Sequence, residues 1–178
     1  MFEEYLQDAY EFFIAAKKAA EAEDERVARR FYRAAVFYTL GAIEAFVNYI
    51  ADSFAKAESI PSHEIAFLND KSFHFSTDKF RLIERTEYHR LEDKLKFLIR
   101  KFVPGFKFNS TSWCRTMEFK DFRDSLLHPR QGEDETSTAE YERKLRTGMA
   151  GTIEIMNRVS RGIFKKPLRK QILDLIPE

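Results

Sequence analysis

The stretch Ala34-Ala35-Val36-Phe37-Tyr38-Thr39-Leu40-Gly41-Ala42-Ile43-Glu44-Ala45-Phe46-Val47-Asn48-Tyr49-Ile50-Ala51-Asp52-Ser53-Phe54 decides the fold class. Its apolar residues fall on most sides of a helical wheel, and it contains no Pro and a single Gly, Gly41. A helix that is apolar nearly all round is buried by several neighbours. The pattern therefore predicts the central helix of a bundle, running from about Glu25 to Ala57 with Asp24 as its cap. Its first part carries Arg26, Arg29, Arg30 and Arg33, an exposed face beside Glu23 and Glu25. Glu58-Ser59-Ile60-Pro61 ends it.

Helical spacing continues on both sides of this stretch. Upstream, Tyr5, Leu6, Ala9, Phe12, Phe13, Ala16 and Ala20 recur at i, i+3, i+4 intervals, predicting an amphipathic helix over Phe2 to Ala22. Downstream, Ser62 to Leu68 reads as a short helix and Asn69 to Ser76 as a turn-rich connector. Ser76 or Thr77 then caps a helix from Asp78 to about Phe102, with Phe80, Ile83, Leu91, Leu95, Leu98, Ile99 and Phe102 toward the core. Pro104-Gly105 stops it. After a loop over Phe106 to Ser112, the residues Trp113, Met117, Phe122 and Leu126 define a helix ending near His128-Pro129. Pro129 to Thr136 is polar. Ser137-Thr138-Ala139-Glu140 has the capping-box form and opens a helix with Tyr141, Leu145, Met149, Ile153 and Met156 on one face. A basic segment, Arg158 to Lys170, leads to a last apolar stretch, Ile172 to Ile176. No repeat stands out and no strand pattern persists. The expectation is one all-α domain over residues 1–178, a bundle of about five to seven helices.

Composition narrows the classes further. The 178 residues carry 30 Lys+Arg against 29 Asp+Glu, which excludes a general nucleic-acid coat but leaves room for a local basic patch. The single cysteine, Cys114, excludes a disulfide framework and a cysteine-based zinc cage; beside Trp113 it reads as a small buried hydrophobe. The acidic start lacks the basic region of a signal or transit peptide. The longest uncharged run, Ala34 to Ile43, is about ten residues against the roughly 20 of a membrane span. A soluble, cytoplasmic chain with no membrane partner is expected. The 18 Phe suit either a homodimer interface or an aromatic monomer core. There is no Gly-rich phosphate loop, HExxH, CxxC, GxSxG or DxDxDG sequence. His63, His74 and His89 lack neighbours at ligand spacing and read as ordinary surface or helix residues. Glu133, Asp134 and Glu135 read as solvated charge. No metal and no cofactor are expected.

One segment carries chemistry: Phe119-Lys120-Asp121-Phe122-Arg123-Asp124-Ser125-Leu126-Leu127-His128-Pro129. It resembles the Arg-x4-6-His motif of the HEPN superfamily, in which a polar residue often follows the Arg, as Asp124 does here. Tyr38 to Asn48, with Glu44 amid apolar residues, is similar to that family's central helix. The helix order also fits. On an ideal helix, positions five apart sit about 140° apart, so Arg123 and His128 would not share a face. Pro129 disfavours the α conformation at His128, so the helix should end there and let His128 turn back toward Arg123.

The resemblance implies a homodimer whose motifs meet across a two-fold axis and cleave RNA without a metal, leaving a 2′,3′-cyclic phosphate and a 5′-OH. In that scheme His128 is the general acid or base and Arg123 stabilises the negatively charged phosphorane. Asp124, four residues before His128, would orient His128 or Arg123. Glu44 and Asn48 would support them from one face of the central helix, the other reading of each being a structural bond to a neighbouring helix. Arg130, Lys165, Lys166 and Arg169 would contact RNA phosphates, with Phe164 as a stacking surface. A toxin or phage-defence role with a neutralising partner is the implied setting. The chain departs from members that carry Arg-x4-His-x-Tyr, since Pro129 and Arg130 follow His128, which puts their tyrosine-based control and that partner in doubt. Two alternatives stand beside the endoribonuclease: a non-catalytic HEPN-like module that binds nucleotides or proteins, and an unrelated helical interaction domain.

Overall fold

A computed structural model describes residues 1–57, 60–78, 81–127 and 136–177. The described residues are 72% helical and form seven helices and one two-stranded sheet. The all-α bundle expected from the sequence is the observed architecture.

Helix α1 (Phe2–Glu21) leads through a three-residue turn, with Glu23 in the left-handed region, into α2 (Glu25–Ala55). The Asp24 side chain accepts the Val27 N–H at 3.1 Å and so caps α2 as expected. Phe2 packs on Phe46 and Phe13 on Tyr32, so α1 runs antiparallel to α2. Helix α6 (Thr138–Phe164) starts at the Ser137 cap, whose hydroxyl accepts the Glu140 N–H at 3.2 Å. Tyr32 stacks on Tyr141 at one end of α2 and Tyr49 meets Phe164 at the other, so α6 runs parallel to α2. Both stacked tyrosines are fully buried, and burial pushes the Tyr32 hydroxyl up to about 12. Thirteen residues of α2 are buried, as an axial helix requires. By length and composition α2 could also cross a bilayer; here 56% of its most apolar window is buried inside the fold. Counting only the uncharged run from Ala34 to Ile43 understates this helix, because a membrane-length window tolerates one or two charges.

Helix α5 (Thr111–Leu127) packs antiparallel on α6, with Phe122 against Tyr141 at one end and Ser112 and Thr116 beside Gly151 farther along. Glycines make this approach close. A Cβ on Gly148 would lie 2.2 Å from the buried Phe119 ring, and one on Gly151 would lie 2.9 Å from the Ser112 carbonyl. Phe119, absent from the expected core face, is among the largest fully buried side chains because Gly148 makes room for it. Helix α4 (Leu91–Phe102) also reaches α6, where a Cβ on Gly162 would lie 2.4 Å from the Phe102 carbonyl.

Two expectations need correction. The helix expected over Asp78 to Phe102 begins only at Leu91, after a hairpin of β1 (Lys71–Ser76) and β2 (Arg81–Thr86). The strands pair antiparallel from Lys71↔Thr86 to Ser76↔Arg81. The stretch Asn69 to Ser76, expected as a turn-rich connector, instead carries β1, with Phe73 and Phe75 on one face and Ser72 and His74 on the other, the period of two of a strand. Of the seven residues expected in that helix core, the two that precede α4 are not in a helix among the described residues: Ile83 is half-buried on β2 and Phe80 lies outside the described residues. The hairpin follows the short helix α3 (Ser62–Leu68), whose bounds match the expectation. Cys114 is exposed rather than buried: Trp113 and Thr116 take the inward face of α5 and turn Cys114 outward.

The glycine contacts give a direct test. Gly148→Ala should overpack the α5–α6 seam at a cost of about 3 kcal/mol, offset by about 1 kcal/mol of helix propensity. The net loss of about 2 kcal/mol should lower the melting temperature by about 4–8 °C in calorimetry. An unchanged or raised melting temperature would show that the seam is not close-packed there.

Candidate functional site

The seam sets where α5 presents its polar face. Arg123 lies on the last turns of α5, and its Nη2 donates to Glu44 Oε1 of α2 at 2.9 Å. The two residues are 79 positions apart in sequence, yet the bundle joins them directly. Arg123 Nε lies 3.2 Å from Asp124 Oδ1, but this contact is not aligned as a hydrogen bond, and Nε is buried without one. Asp124 Oδ2 accepts from Lys120 Nζ at 2.9 Å, and Lys120 also reaches Asp121 at 3.3 Å. The result is a chain of alternating charge: Glu44, Arg123, Asp124, Lys120, Asp121. The Asp124 hydrogen bond, outweighing partial burial, holds the Lys120 ammonium above its ordinary range.

The expected site residues are thus partly assembled. Arg123, Asp124 and Glu44 form one network, in which Asp124 turns to Arg123 and Lys120. Of the two readings of Glu44, the bond to a neighbouring helix is realised, and the helix is the one that carries the motif. Asn48 lies one turn further along α2; its amide is exposed and makes no hydrogen bond among the described residues. His128 and Arg130 lie outside the described residues.

Glu44 and Asn48 form a ridge between two depressions. On one side is a cleft of about 960 Å³ lined by Tyr5, Asp52, Lys166 and Arg169 among others. Tyr49 is half-exposed on its wall, with Phe164 beside it at 5.9 Å. Lys166 and Arg169 reach this cleft because the chain reverses after α6. Lys165 caps the helix in the left-handed conformation (φ 57°). The Ser160 hydroxyl then donates to the Lys166 carbonyl at 2.9 Å, and the Leu168 N–H donates to Asn157 Oδ1 at 3.0 Å. The strap is thereby stitched to the outer face of α6, with Leu168 buried. Lys165 itself donates to the Gly162 carbonyl and does not line the cleft, and Arg169 pairs with Glu3 at 3.2 Å. A short helix, α7 (Lys170–Leu173), follows and buries Ile172.

Compared with known proteins, the chain matches no family model, and no curated protein or solved structure is significantly similar to it. Its chemistry is therefore read from its own residues.

On the other side of the ridge is a smaller recess of about 190 Å³, lined by Glu44, Val47, Asn48, Asp70, His89, Leu91 and Lys94. Asp70 organises it from a left-handed turn (φ 55°) between α3 and β1. Its Oδ1 accepts the His89 N–H at 2.8 Å and its Oδ2 accepts from Lys94 Nζ at 2.7 Å. Its carbonyl accepts the Glu87 N–H at 2.9 Å. Burial pushes the Asp70 carboxyl up, but the Lys94 hydrogen bond, the His89 N–H and the Lys94 charge together hold it below its ordinary value. The Lys94 side chain is only 7% exposed, so Asp70 supplies the counter-charge that makes its burial tolerable. No group of three or more His, Cys, Asp or Glu side chains is placed to hold a metal ion among the described residues.

Four of these residues were missed in the sequence, three of them because spacing does not record their meeting. Asp70, His89 and Lys94 are 19 and 24 positions apart and meet only through the hairpin turn. Lys120 carried a usable signal, since it sits four residues before Asp124 on the same helix.

Asp70→Asn keeps the residue's tolerance of positive φ and an oxygen for the His89 N–H, but removes the charge facing Lys94. It should cost about 2 kcal/mol in urea denaturation at neutral pH. The pH dependence follows from the lowered carboxyl. Its contribution is complete above the ordinary value of 3.8 and is lost as pH falls through the lower folded value. Below that range the wild type and Asp70→Asn should converge in stability. A constant difference down to the acid limit would show that the Asp70 charge contributes nothing.

Proposed function

We propose that the chain is a metal-independent endoribonuclease of HEPN type, acting as a homodimer in a toxin or phage-defence setting with a neutralising partner. The observation that carries the reading is the Glu44–Arg123 bond, which ties the Arg of the motif to the carboxylate set amid the apolar residues of the central helix. It sits beside a cleft that holds two of the basic residues assigned to RNA, Lys166 and Arg169. The half-exposed Tyr49 ring, with Phe164 next to it, offers a base a stacking surface on the same wall.

The reaction needs three things from the protein. A group must take the ribose 2′-OH proton and another must return one to the departing 5′-oxygen, the work of the two His128 residues of a dimer. Charge must be placed on the phosphorane. Arg123 Nη2 and Nε face Glu44 and Asp124, while Nη1 makes no bond among the described residues. A planar guanidinium already aimed by two carboxylates costs little reorganisation when a phosphate arrives. Third, Glu44 lines the cleft and holds the arginine by a direct bond, so that RNA lying along α2 comes within one side chain of it.

One observation favours the second reading, a non-catalytic binding module. Arg123 is committed to two carboxylates, and such a pair is also what a purely structural helix–helix bond looks like. Activity separates the two readings. Purified protein should cleave single-stranded RNA in EDTA, whereas DNA and RNA with a 2′-O-methyl at the cut site should be inert. His128→Ala should lower the rate about 10²–10⁴-fold. Arg123→Ala should lower it about 10²–10³-fold, and Lys at position 123 should rescue poorly. Cleavage of 2′-O-methyl RNA at the normal rate, or full activity in both alanine variants, would refute the mechanism. A folded dimer that cuts no RNA would favour the binding module.

Assembly is tested separately. Light scattering at micromolar concentration should give a mass near twice 21.1 kDa. A monomer at every concentration would remove the two-fold arrangement.

A further inference from the structure

We infer that the cleft along α2 reads one base of the bound RNA as guanine: the base lies on the Tyr49 ring, and the Asp52 carboxylate accepts the two N–H groups of its Watson–Crick edge. The inference rests on the part of the proposed function that lays RNA along α2, and adds to it the base that the cleft selects.

The charges of the cleft select the kind of ligand. Of the charged side chains that line it, Glu44 is bonded to Arg123 at 2.9 Å and Glu3 to Arg169 at 3.2 Å. Asp52 and Lys166 have no partner among the described residues, and they are of opposite sign. A plain polyanion would use Lys166 and be repelled by Asp52. A nucleotide whose base carries N–H donors uses both, one at each end. The helix itself gives Asp52 no support. It lies in the last turn of α2, where the dipole disfavours a carboxylate, and that turn holds no basic residue. The volume of about 960 Å³ takes a whole nucleotide.

The reading groups stand together on α2. Phe2 at 5.7 Å and Phe164 at 5.9 Å between centroids brace the Tyr49 ring, which stays half-exposed. A ring held in this way stacks a base with little ordering of its own. Asp52 comes three positions after Tyr49 and four after Asn48, so both are its neighbours on the helix surface. All three line the cleft. A base lying on Tyr49 therefore has a carboxylate and an amide within one turn of it, and the exposed Asn48 amide makes no hydrogen bond among the described residues.

The chemistry of the carboxylate picks the base. An ionised carboxylate only accepts, and its two oxygens suit two parallel N–H donors. Guanine presents such a pair side by side, N1–H and the N2 amino group. Adenine and cytosine each offer one amino group beside a ring nitrogen that is itself an acceptor, and uracil offers N3–H between two carbonyls. With any of these three, one oxygen of Asp52 confronts a lone pair, so the carboxylate rejects them as well as favouring guanine. The Asn48 amide can donate to guanine O6, and Lys166 Nζ to a phosphate oxygen. Single-stranded RNA leaves this edge of its bases free to be read.

The experiment measures binding by fluorescence anisotropy, with the full-length protein and short 2′-O-methyl oligouridylates that carry one central G, A, C or U. These probes lack the attacking 2′-OH, so binding is read without cleavage. The G probe should bind about 5–150-fold more tightly than the other three, the worth of one bidentate base contact. Asp52→Asn places an amino group where an acceptor stood and should erase most of that preference, as should Asp52→Ala. The residue is exposed, so neither variant should lower the melting temperature. Lys166→Ala should weaken all four probes alike and leave the preference intact, as the loss of a phosphate contact does. A G probe that binds no more tightly than the others, or a preference that survives both Asp52 variants, overturns the inference. If the wild type then still cuts RNA, the endoribonuclease reading stands without it. A guanine preference that depends on Asp52 in a protein that cuts no RNA keeps the guanine site and removes the nuclease.

Discussion

The close approach of α5 to α6 is the constraint on which the arrangement depends. Two helices normally keep their axes apart by the width of the side chains between them. At Gly148 and Gly151 there is no side chain on α6, and the Phe119 ring and the Ser112 carbonyl occupy the space. This lowers α5 onto the bundle and fixes its rotation. Rotation matters because residues on a helix separate by about 100° each. With Phe119 turned inward against Gly148, Arg123 comes round to face α2, and its guanidinium meets Glu44. The same geometry leaves Asp121 and Asp124 outside, where Lys120 bridges them. A single steric fact therefore orders five charged side chains.

Much of the fold was legible because burial is periodic. The all-round apolar character of Ala34 to Phe54 marks an axial helix, and the capping residues Asp24 and Ser137 stand where the helices start. The faces of α1 and α6 could be read from spacing alone. The hairpin could not, for a physical reason. Strand patterning is easiest to recognise when one face is buried and the other wet, and here both are largely exposed. Phe73, Phe75 and Leu82 are 41%, 60% and 65% exposed, so apolar residues do not mark an inner surface. Phe80, Ile83 and Leu91 meanwhile fell at helical intervals by coincidence. Phe119 was missed because its space is created by a residue on another helix, and no local pattern records that.

The site shows the same division. Arg123, Asp124 and Glu44 could be singled out by residue type and by the likeness of their surroundings to a known motif. Their meeting at 2.9 Å is a property of packing, not of spacing. The recess around Asp70 was hidden altogether. Its residues come from a left-handed turn, the residue before a helix cap and a buried lysine, none of which has a sequence signature. Cys114 teaches the converse lesson: proximity to Trp113 in sequence says little about burial, since neighbours on a helix point 100° apart.

The hairpin has a colloidal consequence. A two-stranded sheet leaves its outer backbone donors and acceptors open to pairing with any extended chain, and three exposed apolar side chains make this one adhesive. Along its strands and exit stand Lys71, Arg81, Glu84, Arg85 and Glu87, with Lys71 and Glu84 bonded to each other at 3.0 Å. Any strand added to either edge must strip water from several of these charges, a penalty that indiscriminate stacking cannot recover. They act as gatekeepers, keeping concentrated protein from growing fibrils outward from this exposed sheet.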